Sequence, residues 1–414
     1  MDEKKLADSF RWEFNNLYPL SQECCIYRVP HSKRRLNPDD YTPKIVSIGP
    51  FHHGKEELQA MEDQKIRYLQ QFLQRTKVSI EDFLAFIKGK EPKLLKCYAE
   101  TVKLGSYDFV RMVLLDAVFL VELLLRGCNP NFITNDDRIF RKPWMINQMW
   151  SDFWLLENQL PLFILNDLFN LAKTSMYEDS YVGHSLVTIS GWFRKDVLNY
   201  FLMEENLLEI YFSEAQHFLD LLRLCLQPSQ RRVKKELIAQ NMPSAMELHQ
   251  AGVKFKLGST RKLLDVTFNK GILEIPLLTV YENTERFYRN VLVFESMHVN
   301  THYFNDYVLL MSYLVNSTKD EELLIQNGVI GHRNSERLSS VFHNLRKDCG
   351  WACSFQYACL VEVLQNHCRS PWNRRKAILR QNYFNSPWAS ISIIAAVILL
   401  LLTFIQTTCS IIAL

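Results

Sequence analysis

Residues 109–125 read FVRMVLLDAVFLVELLL. Arg111, Asp116 and Glu122 interrupt an otherwise apolar run. Each would cost several kcal/mol in hydrocarbon, so the stretch is expected to be a buried helix of a folded body and not a membrane span. A helix that is apolar on every side is one surrounded by protein. A second run, 154–171 (WLLENQLPLFILNDLFNL), carries Glu157, Pro161 and Asp167 and reads the same way. Over 58–73, Leu58, Met61, Leu69 and Phe72 recur at helical spacing beside Glu62, Lys65 and Arg67, the pattern of an amphipathic helix. The body is therefore expected to be mainly α-helical.

The period changes after Gly252. Val253, Phe255 and Leu257 alternate with Lys254 and Lys256, and Leu264, Val266 and Phe268 alternate with Asp265, Thr267 and Asn269. Asn269-Lys270-Gly271 then supplies turn chemistry before Ile272-Leu273-Glu274-Ile275-Pro276. Period-two alternation between turns predicts a small antiparallel β meander near 252–278, which makes the class mainly α with a minor α+β component. Helical patterning returns near Thr284 and runs to about His367. The polar link Gln227-Pro228-Ser229-Gln230-Arg231-Arg232 marks an internal boundary near 228–235. No solenoid-type repeat is present.

The chain has 414 residues, 48% of them hydrophobic and 22% charged, with 13 Gly and 14 Pro. This excludes disordered, collagen-like and low-complexity classes. The net charge of +3 is too small to make a nucleic-acid binder the default. That average conceals a split. The last acidic residue is Glu362, and Arg369, Arg374, Arg375, Lys376 and Arg380 follow it, so residues 1–362 carry −2 and the remainder +5.

No charged residue occurs from Gln381 to Leu414, and 391–405 reads ISIIAAVILLLLTFI. A helix over 388–411 is expected to span a bilayer, since about 20 residues suffice. Trp388 suits the interface, Ile391, Leu399 and Ile405 suit the hydrocarbon, and the hydroxyls of Ser392, Thr403 and Thr407 can bond back into the helix. The five cations immediately before the span place the N-terminal bulk in the cytosol. They also offer charge to an anionic leaflet. Residues 1–25 form a polar lead with no apolar signal segment. The expected organisation is thus a lead (1–25), a helical cytosolic domain (26–368), a basic juxtamembrane segment (369–387) and a single-pass anchor (388–411) at the plasma membrane or endoplasmic reticulum.

No G-x-G-x-x-G, Walker A, G-x-S-x-G or H-E-x-x-H pattern occurs. No catalytic, cofactor-binding or metal-binding residue is therefore assigned, and no cofactor is expected. A polar group of His52, His53, Asp116, Glu157, Asn158 and Gln159 stands out. His52-His53-Gly54 is placed on a turn after a strand-like run, and Glu157-Asn158-Gln159 inside a helix-like apolar segment. Such groups either tie a core together through satisfied hydrogen bonds or mark a site with shifted pKa values. Cys349, Cys353, Cys359 and Cys368, with His343 and His367, form a late cluster whose spacing departs from that of structural zinc sites. Cys368, beside the basic segment, also has the setting of a palmitoylation site.

Several blocks then fall into a familiar order. Ile26-Tyr27-Arg28-Val29-Pro30 is followed by Tyr41-Thr42-Pro43-Lys44-Ile45-Val46-Ser47-Ile48-Gly49-Pro50-Phe51-His52-His53-Gly54, and by Met61-Glu62 with Lys65. Met112-Val113-Leu114-Leu115-Asp116, Leu155-Leu156-Glu157-Asn158-Gln159-Leu160-Pro161, Gly252-Val253-Lys254-Phe255, Ile275-Pro276, Arg289-Asn290 with Glu295, and Pro387-Trp388-Ala389 come next. Over nearly its whole length the chain resembles the plant family known as domain of unknown function 247. It departs from the family pattern at Asp116-Ala117-Val118, where Asp-Gly-Cys is usual, and at Asp152-Phe153-Trp154. The resemblance implies a plant membrane protein, with some grass relatives linked to self-incompatibility, and it brings no catalytic residues.

Two functional readings follow. One is a non-enzymatic, membrane-tethered recognition or signalling module whose partners are the bilayer and another protein, with no nucleic acid and no small-molecule substrate identified. The other is a membrane-anchored enzyme with a non-local site around His52, His53, Asp116 and Glu157.

Overall fold

The computed structural model describes residues 3–16, 23–173, 185–189, 207–230, 242–332, 337–350, 354–370 and 387–412. The chain divides into two units. The first comprises Met1–Pro228, Thr279–Asn305 and Lys347–Gly350; the second comprises Ser229–Leu278, Asp306–Arg346 and Trp351–Leu414.

In the first unit the helices in chain order are α1 (Glu3–Asn16), α2 (Glu62–Arg75), α3 (Ile80–Lys96), α4 (Ser106–Cys128), α5 (Pro143–Phe153), α6 (Leu162–Lys173) and α7 (Phe218–Cys225), with Thr284–His298 later in the chain. Helix α4 contains the run 109–125, and every residue from 112 to 126 is buried. It packs against α2, α3 and α6, which explains why its apolar positions follow no single stripe. The three ionised groups buried within it are all paired. Asp116 meets Lys65, Glu122 meets Arg75 and Arg126, and Arg126 also meets Asp137 at 3.0 Å. Helix α2 buries Tyr68, Leu69 and Phe72 and leaves Arg67 exposed, as its amphipathic spacing predicts. A short 3-10 stretch, Glu56–Met61, precedes it.

The 154–171 run is not one helix. Residues 154–161 are irregular and α6 begins at Leu162. Pro161 has no N–H to give and pushes Leu160 out of the helical region, so a helix cannot run through it. The side-chain amide of Gln159 instead donates to the Phe153 and Leu155 carbonyls, at 2.6 and 2.8 Å, and satisfies the end of α5.

The second unit holds a three-stranded sheet of β1 (Lys254–Leu257), β2 (Thr267–Asn269) and β3 (Ile272–Ile275), in the order β1-β3-β2. β2 and β3 form the expected antiparallel hairpin. Lys270 and Gly271, both at positive φ (48° and 80°), make its two-residue turn. The expected antiparallel meander is corrected at β1, which pairs with the other edge of β3 in parallel, Lys254 opposite Ile272 and Leu257 opposite Ile275. Residues 262–266 turn back through hydrogen bonds from Asp265 to Lys262 and from Val266 to Leu264. They consume half of the alternating run that would have carried a longer second strand. Around the sheet, Ala245–Gln250 packs on Thr318–Gln326 and on Ala358–Arg369, which also contacts β2. Buried acids join these helices. Asp320 accepts from the Met246 N–H at 2.7 Å, and Glu321 from the Leu338 N–H at 3.0 Å, each at a neighbouring helix's positive N-terminal end.

A 26-residue helix, Pro387–Ile412, closes the described chain. Leu399, Leu400 and Phe404 are 64%, 71% and 69% exposed on it. Thr403 and Thr407 donate to the Leu399 and Thr403 carbonyls, so their hydroxyls are satisfied within the helix. Among the described residues no helix is long and apolar enough to cross a membrane. The expected crossing by 388–411 is therefore not shown.

Candidate functional site

The sequence-expected polar group converges on one feature, the path of residues 26–54 over the first unit. This segment bridges Tyr98 in parallel at Ile26 and reads as strand-like at 44–48, yet among the described residues no strand pairs with 44–48. Buried side chains take up its main-chain groups instead. Asp152 accepts from the N–H groups of Lys44, Ile45 and Val46, the Ile45 bond being 2.7 Å, and meets Arg286 at 3.2 Å. Asn158 accepts from the Ile48 N–H at 2.7 Å and donates to the Val46 carbonyl at 3.0 Å. Asp116 accepts from the Gly49 N–H at 2.8 Å. Lys65 donates to the Ser47 carbonyl at 2.6 Å, to Asp116 at 2.5 Å and to Glu62 at 2.6 Å. Every unpaired main-chain group in such a position would be costly, and these contacts remove that cost.

Glu157 holds the next turn of this path. Its Oε1 accepts from the Val29 N–H at 2.6 Å and lies 2.6 Å from Arg34 Nη2 in an ion pair, while Oε2 lies 3.2 Å from His52 Nε2 and 3.8 Å from Arg28. Burial works against the Glu157 charge, but His52, Arg34 and the Val29 N–H outweigh it and hold its pKa below the usual value. Burial pushes the His52 pKa down, only partly opposed by Glu157. Its Nδ1 and Nε2 are both buried with no hydrogen-bond partner. Burial disfavours the Lys65 charge, but Asp116 and Glu62 prevail and raise its pKa.

His52 and Glu157 are thus brought together, and Asn158 and Asp116 serve the same segment one and two steps along it. Gln159 caps α5. His53 is half-buried, its Nδ1 without a hydrogen-bond partner. Glu157-Asn158-Gln159 lies on an irregular link and not in the helix-like setting expected, which is what frees these side chains to reach the 26–54 backbone. Sequence reasoning missed Asp152, whose aromatic neighbours disguise it, and Arg286 and Asn290. Asn290 accepts from the Leu156 N–H at 3.0 Å and donates to the Asp40 carbonyl at 2.8 Å. Neither of two pockets is lined by the polar group. One lies between α2, α3 and α4 and the other beside Asp265 and Glu274 in the second unit.

Of the remaining expected positions, Ile391 and Ile405 are exposed on the C-terminal helix and Arg369 ends Ala358–Arg369. Arg374, Arg375, Lys376, Arg380, Cys353 and the side chain of Trp388 lie outside the described residues. Among the described residues no group of three or more His, Cys, Asp or Glu could hold a metal ion.

The chain is 30% identical over 433 residues to the UPF0481 protein At3g47200 of Arabidopsis thaliana, an alignment covering 95% of this chain and 87% of that protein. It is 21% identical over 516 residues to the putative UPF0481 protein At3g02645 of the same plant, covering 98% and 95%. No solved structure matches significantly. Residues 26–402 match the family described as plant protein of unknown function, DUF247. That match begins where the Glu157 and Asp152 contacts begin and takes in all of them, so this chain belongs to the DUF247 family of plant proteins.

Proposed function

We propose that this protein is a membrane-tethered interaction module that performs no chemistry of its own. The occupancy of Glu157 carries the reading. Its carboxylate is buried, accepts from the Val29 N–H, lies against Arg34 and His52, and lines neither pocket. A general acid or base needs reach to a substrate proton, whereas Glu157 and Asp116 are committed to the Val29 and Gly49 N–H groups and none of the four residues lines either pocket. The alternative of an enzyme built on His52, His53, Asp116 and Glu157 thereby loses the residues that motivated it.

Tethering draws support from the C-terminal helix. Its apolar side chains are exposed all round and its threonine hydroxyls are satisfied internally, as hydrocarbon requires. The charge split then sets the orientation, with the body on the cytosolic side of the plasma membrane or endoplasmic reticulum. Anchoring concentrates a binding surface at the membrane.

Two measurements test this. In microsomes the intact chain is expected to resist alkaline extraction, to lose that resistance when 387–412 is deleted, and to leave the Asn316-Ser317-Thr318 sequon unglycosylated. Extraction of the intact chain, or a glycan on Asn316, overturns tethering in this orientation. Affinity purification of the intact and tail-deleted forms is expected to recover a shared protein partner, more of it with the intact form. Turnover of any substrate that Glu157→Gln abolishes without loss of folding overturns the non-enzymatic reading.

A further inference from the structure

A groove of about 700 Å³ opens between α2, α3 and α4 in the first unit. Leu69, Val110, Leu114 and Leu115 form its buried floor, and Ile66 and Ile80 stand on its walls, 45% and 38% exposed. Side chains of this kind are normally covered, and cavities of a few hundred to about 1,000 Å³ are the size that holds small ligands.

The charge on the rim is one-sided. No acidic residue lines the groove. Of the two cations there, Lys88 is 2.6 Å from Glu91 and is neutralised by it. Arg111 is exposed and, among the described residues, has neither an ion-pair nor a hydrogen-bond partner.

We propose that this groove binds an anionic amphiphile of the fatty-acid class, its hydrocarbon chain on the Leu69–Val110–Leu114–Leu115 floor and its carboxylate on Arg111. One unpaired cation at the edge of an apolar lining matches a ligand with one charge at one end. A guanidinium takes a carboxylate through two parallel hydrogen bonds. A partner helix, which carries several charges, would find a single counter-charge here. The inference does not rest on the tethering reading, since the groove and the C-terminal helix share no residue.

The test uses the full chain in phosphatidylcholine nanodiscs and a palmitate analogue carrying a photoreactive diazirine at its chain end. The same chain with a trimethylammonium head serves as control, and labelled peptides are mapped by mass spectrometry. Labelling is expected within 62–75, 80–96 and 106–128, displaced by excess palmitate and weak with the ammonium probe. Arg111→Glu is expected to cut it by about tenfold, the loss of one charge-assisted contact. Among the described residues the Arg111 side chain makes no hydrogen bond or ion pair, so this variant tests binding without testing folding. Ala85→Trp, which sets a ring at the exposed edge of the groove, is expected to remove the label. Labelling confined to 387–412, equal labelling by the ammonium probe, or insensitivity to Arg111→Glu overturns the proposal. So does displacement by an acidic helical peptide but not by palmitate.

Discussion

Glu157 Oε1 accepts the main-chain N–H of Val29 at 2.6 Å, although 128 positions of sequence separate the two residues. The same carboxylate meets Arg34, so one side chain fixes both ends of a short stretch of the N-terminal segment. Glu157→Ala leaves the Val29 N–H unpaired and the Arg34 charge without its partner. Because Arg34 is partly exposed, a loss of about 3 kcal/mol is expected, toward the lower end of the range for breaking a buried pair. Urea denaturation measures it, and amide exchange is expected to accelerate across 26–54 before the rest of the first unit responds.

Lys65 and Asp116 allow a sharper comparison. Lys65→Met strands the Asp116 carboxylate in the core and is expected to cost about 3–5 kcal/mol. Adding Asp116→Asn removes that charge and keeps an oxygen for the Gly49 N–H. The double variant is therefore expected to be more stable than Lys65→Met alone, a non-additivity that a double-mutant cycle in urea reads directly.

Acid sensitivity is expected from His217. This imidazole caps α7 by accepting from the Asp220 N–H at 3.2 Å, lies 3.0 Å from the Cys25 carbonyl, and is pushed down to about 4 by burial. The unfolded chain takes up this proton near pH 6.5 and the folded one only near 4. Stability is thus complete above about pH 6.5 and is lost as pH falls toward 4, by about 3 kcal/mol in all. Glu157, whose pKa is lowered, adds a loss only below the ordinary carboxylate range. His217→Asn, which still caps, is expected to make the limb below pH 6.5 shallower, leaving the contributions of His52 and His298, whose pKa values burial also lowers, and the lower carboxylate limb in place.

Two glycines separate strain from collision. Gly49 has φ 75°, and a Cβ there would lie 2.5 Å from the Gln159 carbonyl oxygen. Gly54 has φ 81° with open space around it. Gly54→Ala is expected to cost about 1–2 kcal/mol, the penalty of the left-handed region alone. Gly49→Ala must also move the 159 backbone and is expected to cost about 3 kcal/mol or more. Equal melting shifts for the two would refute the collision.

Much of the helical body is legible in residue order, because a helix announces itself through spacing within one segment. Three acid or base positions in 109–125 sufficed to place α4 inside protein, and each of them except Arg111 has a partner there. The course of 154–161 was less legible. Its apolar content resembles that of a core helix, and the break depends on Pro161 and on amides bonding to distant main chain. The direction of β1 was hidden as well, since alternation is the same for parallel and antiparallel pairing and only the choice of β3 edge decides it. Of the polar group, His52, Asp116, Glu157 and Asn158 were visible as unusual residues. What they bind was not, because their partners are N–H groups that every residue possesses. Asp152 went unseen for the same reason, and Arg111 was read only as an obstacle to membrane insertion.

The side-chain supports of the 26–54 path impose an order on synthesis. Its anchors lie far downstream: Glu157 and Asn158 come more than a hundred residues later, and Asn290 follows Asp40 by 250. At about 5–20 residues per second, some ten to fifty seconds pass between translation of Asp40 and of Asn290. Until Asp152 and Asn158 have been made, Ile45, Val46 and Ile48 have main-chain donors and apolar side chains but none of these side-chain partners. The 26–54 segment is therefore made well before the side chains that complete it, and a nascent chain halted before residue 152 would present that stretch to chaperones in an unpaired state.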